Sequence, residues 1–256
     1  MNRFATSLAL ALFVSAGSSQ VVPPNEAGVS MGHLHLTSKD PDVQKKFWMD
    51  VVGARPAKLG ALDVLEIPGT IIFIDKGEPG GGTAGSVINH VGVKVRDLQV
   101  MLAKVKASGI KIVTRNEKQA MLLIPDDIRL ELTSDPAMTE PVENHHIHFY
   151  TADVEATRKW YAEIFGAIPG QRGPFQAADL PGVNLSFSKS DTAVAGTKGR
   201  SLDHIGFEVK NLEPFTKRLQ QRGIKFSVHY RKVQDSELLS LSSPTLGALT
   251  SNSPKA

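Results

Sequence analysis

The feature that most constrains the fold of this chain is a ten-residue motif that occurs four times. Its copies are GHLHLTSKDP from Gly32, NHVGVKVRDL from Asn89, HHIHFYTADV from His145 and DHIGFEVKNL from Asp203. In each copy a histidine stands seven residues before an Asp or Asn. Successive copies start 57, 56 and 58 residues apart, and a glycine follows each histidine after 19 or 20 residues. Spacing this regular indicates an internal repeat, so we predict four modules that share one structure.

Modules 1 and 3 share the sequence H-x-H, whereas modules 2 and 4 share H-x-G-x-x-V. This alternation indicates that a two-module unit was itself duplicated. A chain of 256 residues with 41% hydrophobic residues can bury one or two sizeable cores. We therefore predict one domain over residues 32–136, from modules 1 and 2, and a second over residues 145–256, from modules 3 and 4. The acidic, proline-containing segment 134–144 is the predicted boundary between them.

Each module is predicted to form a strand, a helix and three further strands. Polar and apolar side chains alternate from His33 to Ser38, as on a half-buried strand. Asp40 is placed to cap the following helix and Gly53 to end it. The predicted apolar stripe of this helix is Val43, Phe47 and Val51. Later strands are expected at residues 62–67, 70–75, 110–114, 120–124 and 128–133, with a flexible connector at 78–86. The predicted fold class is α+β, with four βαβββ modules paired into two cupped mixed-sheet barrels and the last module incomplete.

Two histidines and one carboxylate of the first module pair are candidates for a metal site. His33 and His90 occupy matching positions on the first strands of their modules, on the face opposite to the helices. A single strand histidine is more often only a packed or solvent-facing residue, so the prediction depends on pseudo-twofold pairing that brings both imidazoles together. Alternation along residues 128–133 places Glu131 on the same inward face. Two imidazoles and one carboxylate on one side of a divalent ion leave open positions for substrate or water.

The repeated motif, the GIKI and GIKF segments and the ending IRLELTSDP together resemble the vicinal oxygen chelate superfamily of glyoxalases, bleomycin-resistance proteins and extradiol dioxygenases. The resemblance covers about residues 32–230. It implies that a divalent metal ion is chelated by two neighbouring oxygens of a substrate. Carried over by position, it implies His33, His90 and Glu131 as metal ligands in the first pair. In the second pair it implies His146 and His204, whose carboxylate partner is missing from the tail.

Two further residues are candidates for the chemistry itself. His229 and Tyr230 stand where they can act as acid/base or hydrogen-bonding groups near the metal, and a role at a strand edge is the alternative. His35 and His148 lie two residues after a ligand candidate on the same face and can line the cavity.

The resemblance implies either of two enzyme classes. Ring-cleaving dioxygenases need Fe(II) or Mn(II) with O2, whereas glyoxalase-like lyases or isomerases use Zn, Ni, Co or Mn. The residue 41 positions after the module histidine is Glu131 in module 2, but Ile74 in module 1 and Phe187 in module 3. A site with one carboxylate and no fourth protein ligand favours the dioxygenase. Two alternatives stay open: a metal-free protein that binds a small molecule, and a non-functional product with an incomplete fourth module.

The composition restricts the classes of partner that the protein is expected to bind. The 29 basic and 26 acidic residues nearly balance without a dense Lys/Arg run, which argues against nucleic acid. The absence of cysteine excludes disulfides, thiolate metal ligands and thiol nucleophiles. We expect a small-molecule substrate, no stable membrane insertion, and a monomer or homodimer.

Both ends of the chain differ from the modules. Residues 1–20 have the layout of a secretory signal peptide, with cleavage between Ala16 and Gln20, although translation from Met31 is an alternative. Their apolar run is too short to span a bilayer, so we expect a secreted or periplasmic protein. After Arg231 the sequence is rich in Ser and Leu and lacks a counterpart of PDDIRLELTSDP. We interpret this aberrant tail, from about residue 232, as a frame-shifted remnant.

Overall fold

The computed structural model describes residues 22–224, together with the backbone of 231–233 and 236–238. The strands are β1 Val29–Ser38, β2 Arg55–Leu59, β3 Leu62–Ile67, β4 Thr70–Lys76, β5 Ile88–Val95, β6 Lys111–Arg115, β7 Gln119–Ile124, β8 Ile128–Ser134, β9 Val142–Thr151, β10 Ile168–Arg172, β11 Phe175–Leu180, β12 Val183–Lys189, β13 Leu202–Val209, β14 Arg231–Val233 and β15 Ser236–Leu238. The helices are α1 Pro41–Lys46, α2 Leu98–Ala107, α3 Val154–Phe165 and α4 Leu212–Gln221. A π-helical segment, Phe47–Val52, extends α1, and a single 3-10 turn spans Pro125–Asp127.

The first three modules each form the predicted strand, helix and three strands. The later strands agree with their predicted bounds to within one or two residues, whereas β1 begins four residues before His33. β2, which no sequence pattern marked, completes module 1. In the described part of module 4 the structure has β13, α4 and the short hairpin of β14 and β15. The predicted α+β architecture of paired modules is confirmed, although the sheets are cupped and do not close into barrels.

Helix starts follow the predicted capping residues. The side chain of Asp40 accepts hydrogen bonds from the backbone N–H groups at the start of α1, and Asp97 and Asp153 do the same for α2 and α3. Asn211 occupies the cap of α4 without a side-chain hydrogen bond. One detail of the predicted apolar stripe is wrong, because Val43 is 48% exposed. Phe47 and Val51 are buried as predicted, and in α1 the buried position is taken by Gln44, whose side-chain amide donates a hydrogen bond to the carbonyl oxygen of Pro125.

Two mixed sheets combine the modules in an order that differs from the chain order. The five-stranded sheet runs β13-β1-β4-β3-β2 and joins module 1 to the first strand of module 4. The eight-stranded sheet runs β10-β11-β12-β9-β5-β8-β7-β6 and joins modules 2 and 3. The predicted pairing of modules 1 with 2 and 3 with 4, and hence the assignment of domains to 32–136 and 145–256, is therefore wrong. The predicted domain boundary at residues 134–144 is also wrong, because this segment links two modules within one sheet. Residues 78–86 connect one sheet to the other.

The helices cover one face of the sheets and form the core with it. Val91, Val93 and Val95 on β5 are each at most 2% exposed and belong to one large apolar cluster with residues of α2, α3, α4 and the π-helical segment. Trp48 and Tyr161 are buried in the same cluster, as expected for helix packing. The opposite, concave faces carry the polar residues that the alternation predicted. No helix of the described residues is long and apolar enough to cross a membrane.

Candidate functional site

Antiparallel pairing of first strands brings the module histidines together in two clusters. In the eight-stranded sheet β5 pairs with β9, so that His90 lies opposite His148 and Gly92 opposite His146. In the five-stranded sheet β1 pairs with β13, so that His35 lies opposite His204 and His33 opposite Gly206. We call His90, His146 and His148 the 2/3 cluster, and His33, His35 and His204 the 1/4 cluster, after their modules. In each cluster one donor atom per histidine lies within 4.8 Å of the others.

The predicted convergence of His33 with His90 is therefore wrong. His33 lies on β1 in the five-stranded sheet, and His90 lies on β5 in the eight-stranded sheet. Each is clustered with a histidine from the second half of the chain instead. Glu131 joins His90, as predicted, because β8 runs parallel to β5 with Glu131 opposite Gly92. The ligand candidates thus regroup as His90 with His146 and Glu131, and as His33 with His204.

The alternation of H-x-H and H-x-G in the sequence is explained by these pairings. A Cβ atom on Gly92 would lie 2.0 Å from Cε1 of His146, and one on Gly206 would lie 2.0 Å from Cε1 of His33. Real Cβ atoms do not approach other heavy atoms so closely, so only glycine leaves room for the opposite imidazole. Each H-x-G strand is therefore shaped to receive an H-x-H strand.

A β-bulge precedes every module histidine. The strand registers skip Gly32, Asn89, His145 and Asp203, each the residue immediately before the histidine. The bulge turns that residue toward the same face, where three of the four bind the Nδ1 atom of the next ring. The contacts are 3.0 Å from Asn89 Oδ1 to His90, 3.0 Å from His145 Nδ1 to His146, and 2.6 Å from Asp203 Oδ1 to His204. Engaging Nδ1 fixes the ring orientation and leaves Nε2 as the free nitrogen, which is how metal-binding histidines are held.

The carboxylate of Glu131 lies between the two principal imidazoles of the 2/3 cluster. Oε2 is 3.6 Å from Nε2 of His90, and Oε1 is 3.7 Å from Nε2 of His146. These distances are too long for hydrogen bonds. Gln119 and Thr133 each donate a hydrogen bond of 3.1 Å to Oε1 and hold the carboxylate in place.

The free nitrogens fit a metal ion. Within the described residues, five ring nitrogens of the two clusters are buried without a hydrogen-bond partner: Nε2 of His33, His90, His146 and His204, and Nδ1 of His148. A buried polar atom without a partner is costly, and its repetition at equivalent positions indicates a common ligand. Two ligand atoms about 2.1 Å from a shared ion are about 3.0 Å apart in an octahedral site and about 3.4 Å apart in a tetrahedral one, somewhat less than the 3.6 and 3.7 Å observed from Glu131. Neutral imidazoles and a carboxylate are ligands for first-row divalent metals.

Burial sets the protonation of these groups. It lowers the pKa of His90 to about 3, helped by the charges of neighbouring His148 and Arg172, and it lowers the pKa of His148 to about 4. The pKa of His146 is well below its usual value for the same reason. Burial raises the pKa of Glu131, an effect that the Arg172 guanidinium opposes. Near neutral pH the three imidazoles therefore keep the lone pairs that metal binding requires.

Arg172 is a site residue that the sequence reasoning missed. It ends β10, its NH1 atom is 3.8 Å from Oε1 of Glu131, and its Nε donates a 2.8 Å hydrogen bond to Oγ of Ser186. The strand registers also correct the expected counterparts of Glu131, which faces Gly92 two positions after the module histidine. At the same position the neighbouring strand carries Phe73 in module 1 and Ser186 in module 3, instead of Ile74 and Phe187. A fixed offset of 41 residues from the module histidine selects Ile74 and Phe187, whose side chains lie on the opposite face of the strand.

A cavity of about 710 Å³ adjoins the 2/3 cluster. Its walls include Arg172, His145, Lys94 and Asn144, and the three histidines of the cluster do not line it. The volume lies in the range of small-molecule sites, and the charged lining is mixed, with Arg55, Lys94 and Arg172 among Glu66, Glu140, Glu143 and Asp179. The catalytic candidates His229 and Tyr230 lie outside the described residues.

Comparisons with known proteins agree with this fold. Residues 143–234 match the family model described as the Glyoxalase/Bleomycin resistance protein/Dioxygenase superfamily. Glyoxalase I from Zea mays is similar in structure, with a TM-score of 0.66 and 13% sequence identity over 84% of this chain and 90% of that one. A candidate dioxygenase from Bacillus subtilis subsp. subtilis str. 168 has a TM-score of 0.55 and 13% identity, covering 83% of this chain and 79% of that one. At these identities the likeness concerns the fold alone. No curated protein matches the sequence significantly.

Proposed function

We propose that this chain, whose residues 143–234 match the family model of the Glyoxalase/Bleomycin resistance protein/Dioxygenase superfamily, is a divalent-metal-dependent enzyme. Its substrate is a small molecule that binds the metal through two neighbouring oxygens, and its principal site is the 2/3 cluster with Glu131. The metal is one of Fe, Mn, Zn, Ni or Co in the divalent state, the range that imidazole and carboxylate ligands accept.

One observation carries the proposal. Glu131 lies 3.6 and 3.7 Å from two imidazole nitrogens that are buried, neutral and without hydrogen-bond partners. A structural cluster would close these distances to hydrogen bonds of about 2.9 Å, because an unpaired buried nitrogen is costly. Ligand atoms around a shared ion keep the longer spacing. The spacing therefore supports the proposal that these three groups are ligands of one ion.

Each residue around the cluster has a distinct task. His90 and His146 bind the ion through Nε2, with rings oriented by Asn89 and His145. Glu131 supplies the negative charge. Arg172, positioned by the hydroxyl of Ser186, offers a cation to a carboxylate or enolate of the substrate. The bound ion would act as a Lewis acid on the substrate oxygens.

The number of protein donors favours lyase or isomerase chemistry over ring cleavage. His148 has a buried Nδ1 atom without a partner, and one nitrogen of each imidazole in the cluster lies within 4.8 Å of the other two. With Glu131 the cluster offers four donors, so a six-coordinate ion keeps two open positions. Two positions accept one chelating substrate but leave none for O2. The three-donor count from the sequence favoured a dioxygenase, and the additional imidazole of His148 reverses that preference.

Metal content combined with a substrate panel tests the proposal. After reconstitution the purified chain is expected to hold bound metal, to convert an adduct of a 2-oxoaldehyde and a thiol, and to leave catechols intact. Glu131→Gln is expected to lower metal affinity by at least about 100-fold, more than the loss of an outer-shell partner, and to abolish turnover. Glu155→Gln is the matched control, because Glu155 pairs with Arg158 on the surface of α3, away from the cluster and the cavity.

Two outcomes contradict the proposal in different ways. Cleavage of catechol with Fe(II) or Mn(II) would identify the dioxygenase reaction. Less than about a tenth of an equivalent of metal, with small-molecule binding unchanged in His90→Ala, would identify the chain as a metal-free binding protein.

Export and assembly remain separate proposals. We propose that residues 1–20 are removed on secretion, which N-terminal sequencing of the protein from a secreting host would show. We also propose a monomer or homodimer that binds neither nucleic acid nor membrane, and light scattering would measure its mass. A mature N-terminus at Met31 would contradict the predicted cleavage.

A further inference from the structure

We propose that the 1/4 cluster is a second metal site of a different kind, in which three imidazoles bind a divalent ion and two carboxylates support them from behind. The ligands are His33, His35 and His204, each offering a nitrogen within 4.8 Å of the others. The proposal is independent of the chemistry assigned to the 2/3 cluster, because none of its residues belongs to that cluster.

The three rings are prepared for a common ligand. His33 is 3% exposed, and Nε2 of His33 and of His204 are buried without hydrogen-bond partners. The ring of His204 stacks on that of His35 with centroids 4.5 Å apart and meets His33 edge-on at 5.5 Å. Buried nitrogens without a partner are costly, whereas a shared cation within reach of all three rings satisfies them together.

Carboxylates hold two of the three rings. Asp203 Oδ1 lies 2.6 Å from Nδ1 of His204, and Asp75 Oδ2 lies 3.0 Å from Nε2 of His35. The equivalent contacts of the 2/3 cluster are made by neutral groups, Asn89 and the hydroxyl of Ser188. A carboxylate behind a ligating imidazole fixes its tautomer and raises its basicity. The two carboxylates also balance the charge of a divalent ion bound by three neutral ligands.

The residues that line the two sites also differ in polarity. Strand register places Phe73 where the 2/3 site has Ser186, and Leu59 where it has Arg172. Val64, Ile71 and Phe73 form a separate apolar cluster on this concave face, with Leu59 packed against it. The described residues thus give the 1/4 site an apolar wall, three nitrogen ligands and no adjoining arginine.

This ligand set predicts which ions bind. Three imidazoles, two of them backed by carboxylates, form the set used by zinc sites that keep a fourth position open. Imidazole suits Zn, Cu and Ni, whereas carboxylate-rich sites suit Mn. We therefore expect Zn(II), Cu(II) and Co(II) at the 1/4 site, with little affinity for Mn(II), which the Glu131-containing site accepts.

The first test is the stoichiometry of Co(II) binding by the full chain, measured by calorimetry and by metal analysis after desalting. We expect two equivalents for the wild type. His35→Ala is expected to weaken one of them at least about 100-fold and to leave the other within about threefold, since removing a ligand exceeds the effect of removing an outer-shell partner. His148→Ala, the matched change in the 2/3 cluster, is expected to affect the other equivalent. A single equivalent that persists in His33→Ala/His204→Ala would overturn the proposal.

The second test identifies the ligand atoms and does not depend on activity. Cu(II) bound to His90→Ala/His146→Ala, which leaves the 1/4 cluster intact, should show electron paramagnetic resonance couplings to three imidazole nitrogens. Asp203→Asn is expected to weaken this copper by about 10- to 100-fold without changing the number of couplings. Couplings to fewer than three nitrogens would overturn the assignment of His35. If His35→Ala does not fold, this spectrum and the wild-type stoichiometry still decide the matter.

Discussion

The substitution Gly92→Ala tests the interlocking of the strands most directly. Gly92 lies on β5 opposite His146, and the Cβ atom of alanine would be 2.0 Å from Cε1 of that ring. Ordinary contact begins near 3.4 Å, so the ring must move by about 1.4 Å. The φ angle of Gly92 is not in the left-handed region, so alanine meets no backbone strain and the effect is purely one of close approach.

The displaced ring of His146 cannot move without disturbing its packed neighbours. The side chain of His146 is 0% exposed, and its ring meets those of His90 and His145 edge-on at 5.3 and 4.8 Å. Overpacking of this kind costs about 1–3 kcal/mol, which lowers the melting temperature of a chain this size by roughly 2–10 °C. Metal ligands tolerate displacements of about 0.2 Å, so we expect the Co(II) affinity of the 2/3 site to fall by more than about 100-fold.

Calorimetric titration with Co(II) and thermal unfolding measure both effects. Gly170→Ala is the matched control in the same sheet, because its Cβ would meet only Asp179 Oδ2 at 3.7 Å. The control is expected to bind Co(II) as the wild type does and to be unchanged or more stable by about 0.4–1 kcal/mol. Wild-type metal affinity and melting temperature in Gly92→Ala would refute the proposed strand register.

Three further predictions concern charge, pH and the core. Arg172→Leu is expected to raise KM for an anionic substrate by about tenfold, from the loss of a charge-assisted hydrogen bond of about 1.5 kcal/mol; equal effects in surface Arg158→Leu would contradict this. Burial lowers the pKa of His90 to about 3, so the unfolded chain binds more protons than the folded metal-free protein between about pH 6.5 and 3. Urea titrations should therefore show stability falling as pH falls through that window, by about 1.4 kcal/mol per unit for each such histidine, and a flat profile there would contradict the buried neutral ring. Leu130→Ala, at a fully buried position of β8, should cost about 2–5 kcal/mol in urea unfolding, whereas Val100→Ala, 55% exposed, should cost little.

Much of the site could be predicted from the sequence, because the alternation of side chains between the two faces of a strand depends only on local sequence. The histidine of each module motif lies on the concave face, and Glu131 shares that face with Thr133. The capping residues Asp40, Asp97 and Asp153 bind the helix N-termini as their positions predicted. What local patterns did not reveal were the bulges, which bring Asn89, His145 and Asp203 onto the same face as the histidine that follows them. Arg172 was missed because a single charge at the end of a short hairpin strand has no distinguishing sequence pattern.

The sequence by itself determined four modules, their internal order of elements and the matching of an H-x-H strand to an H-x-G strand. It did not determine which copies meet, because modules 1 and 3 present the same surface to either module 2 or module 4. Only the tertiary structure decided that β5 pairs with β9 and β1 with β13, so that Glu131 joins His146 and not His33. The physical reason is that the glycine opposite an imidazole is equally permissive in both H-x-G strands, and the choice is made by long-range packing of whole sheets.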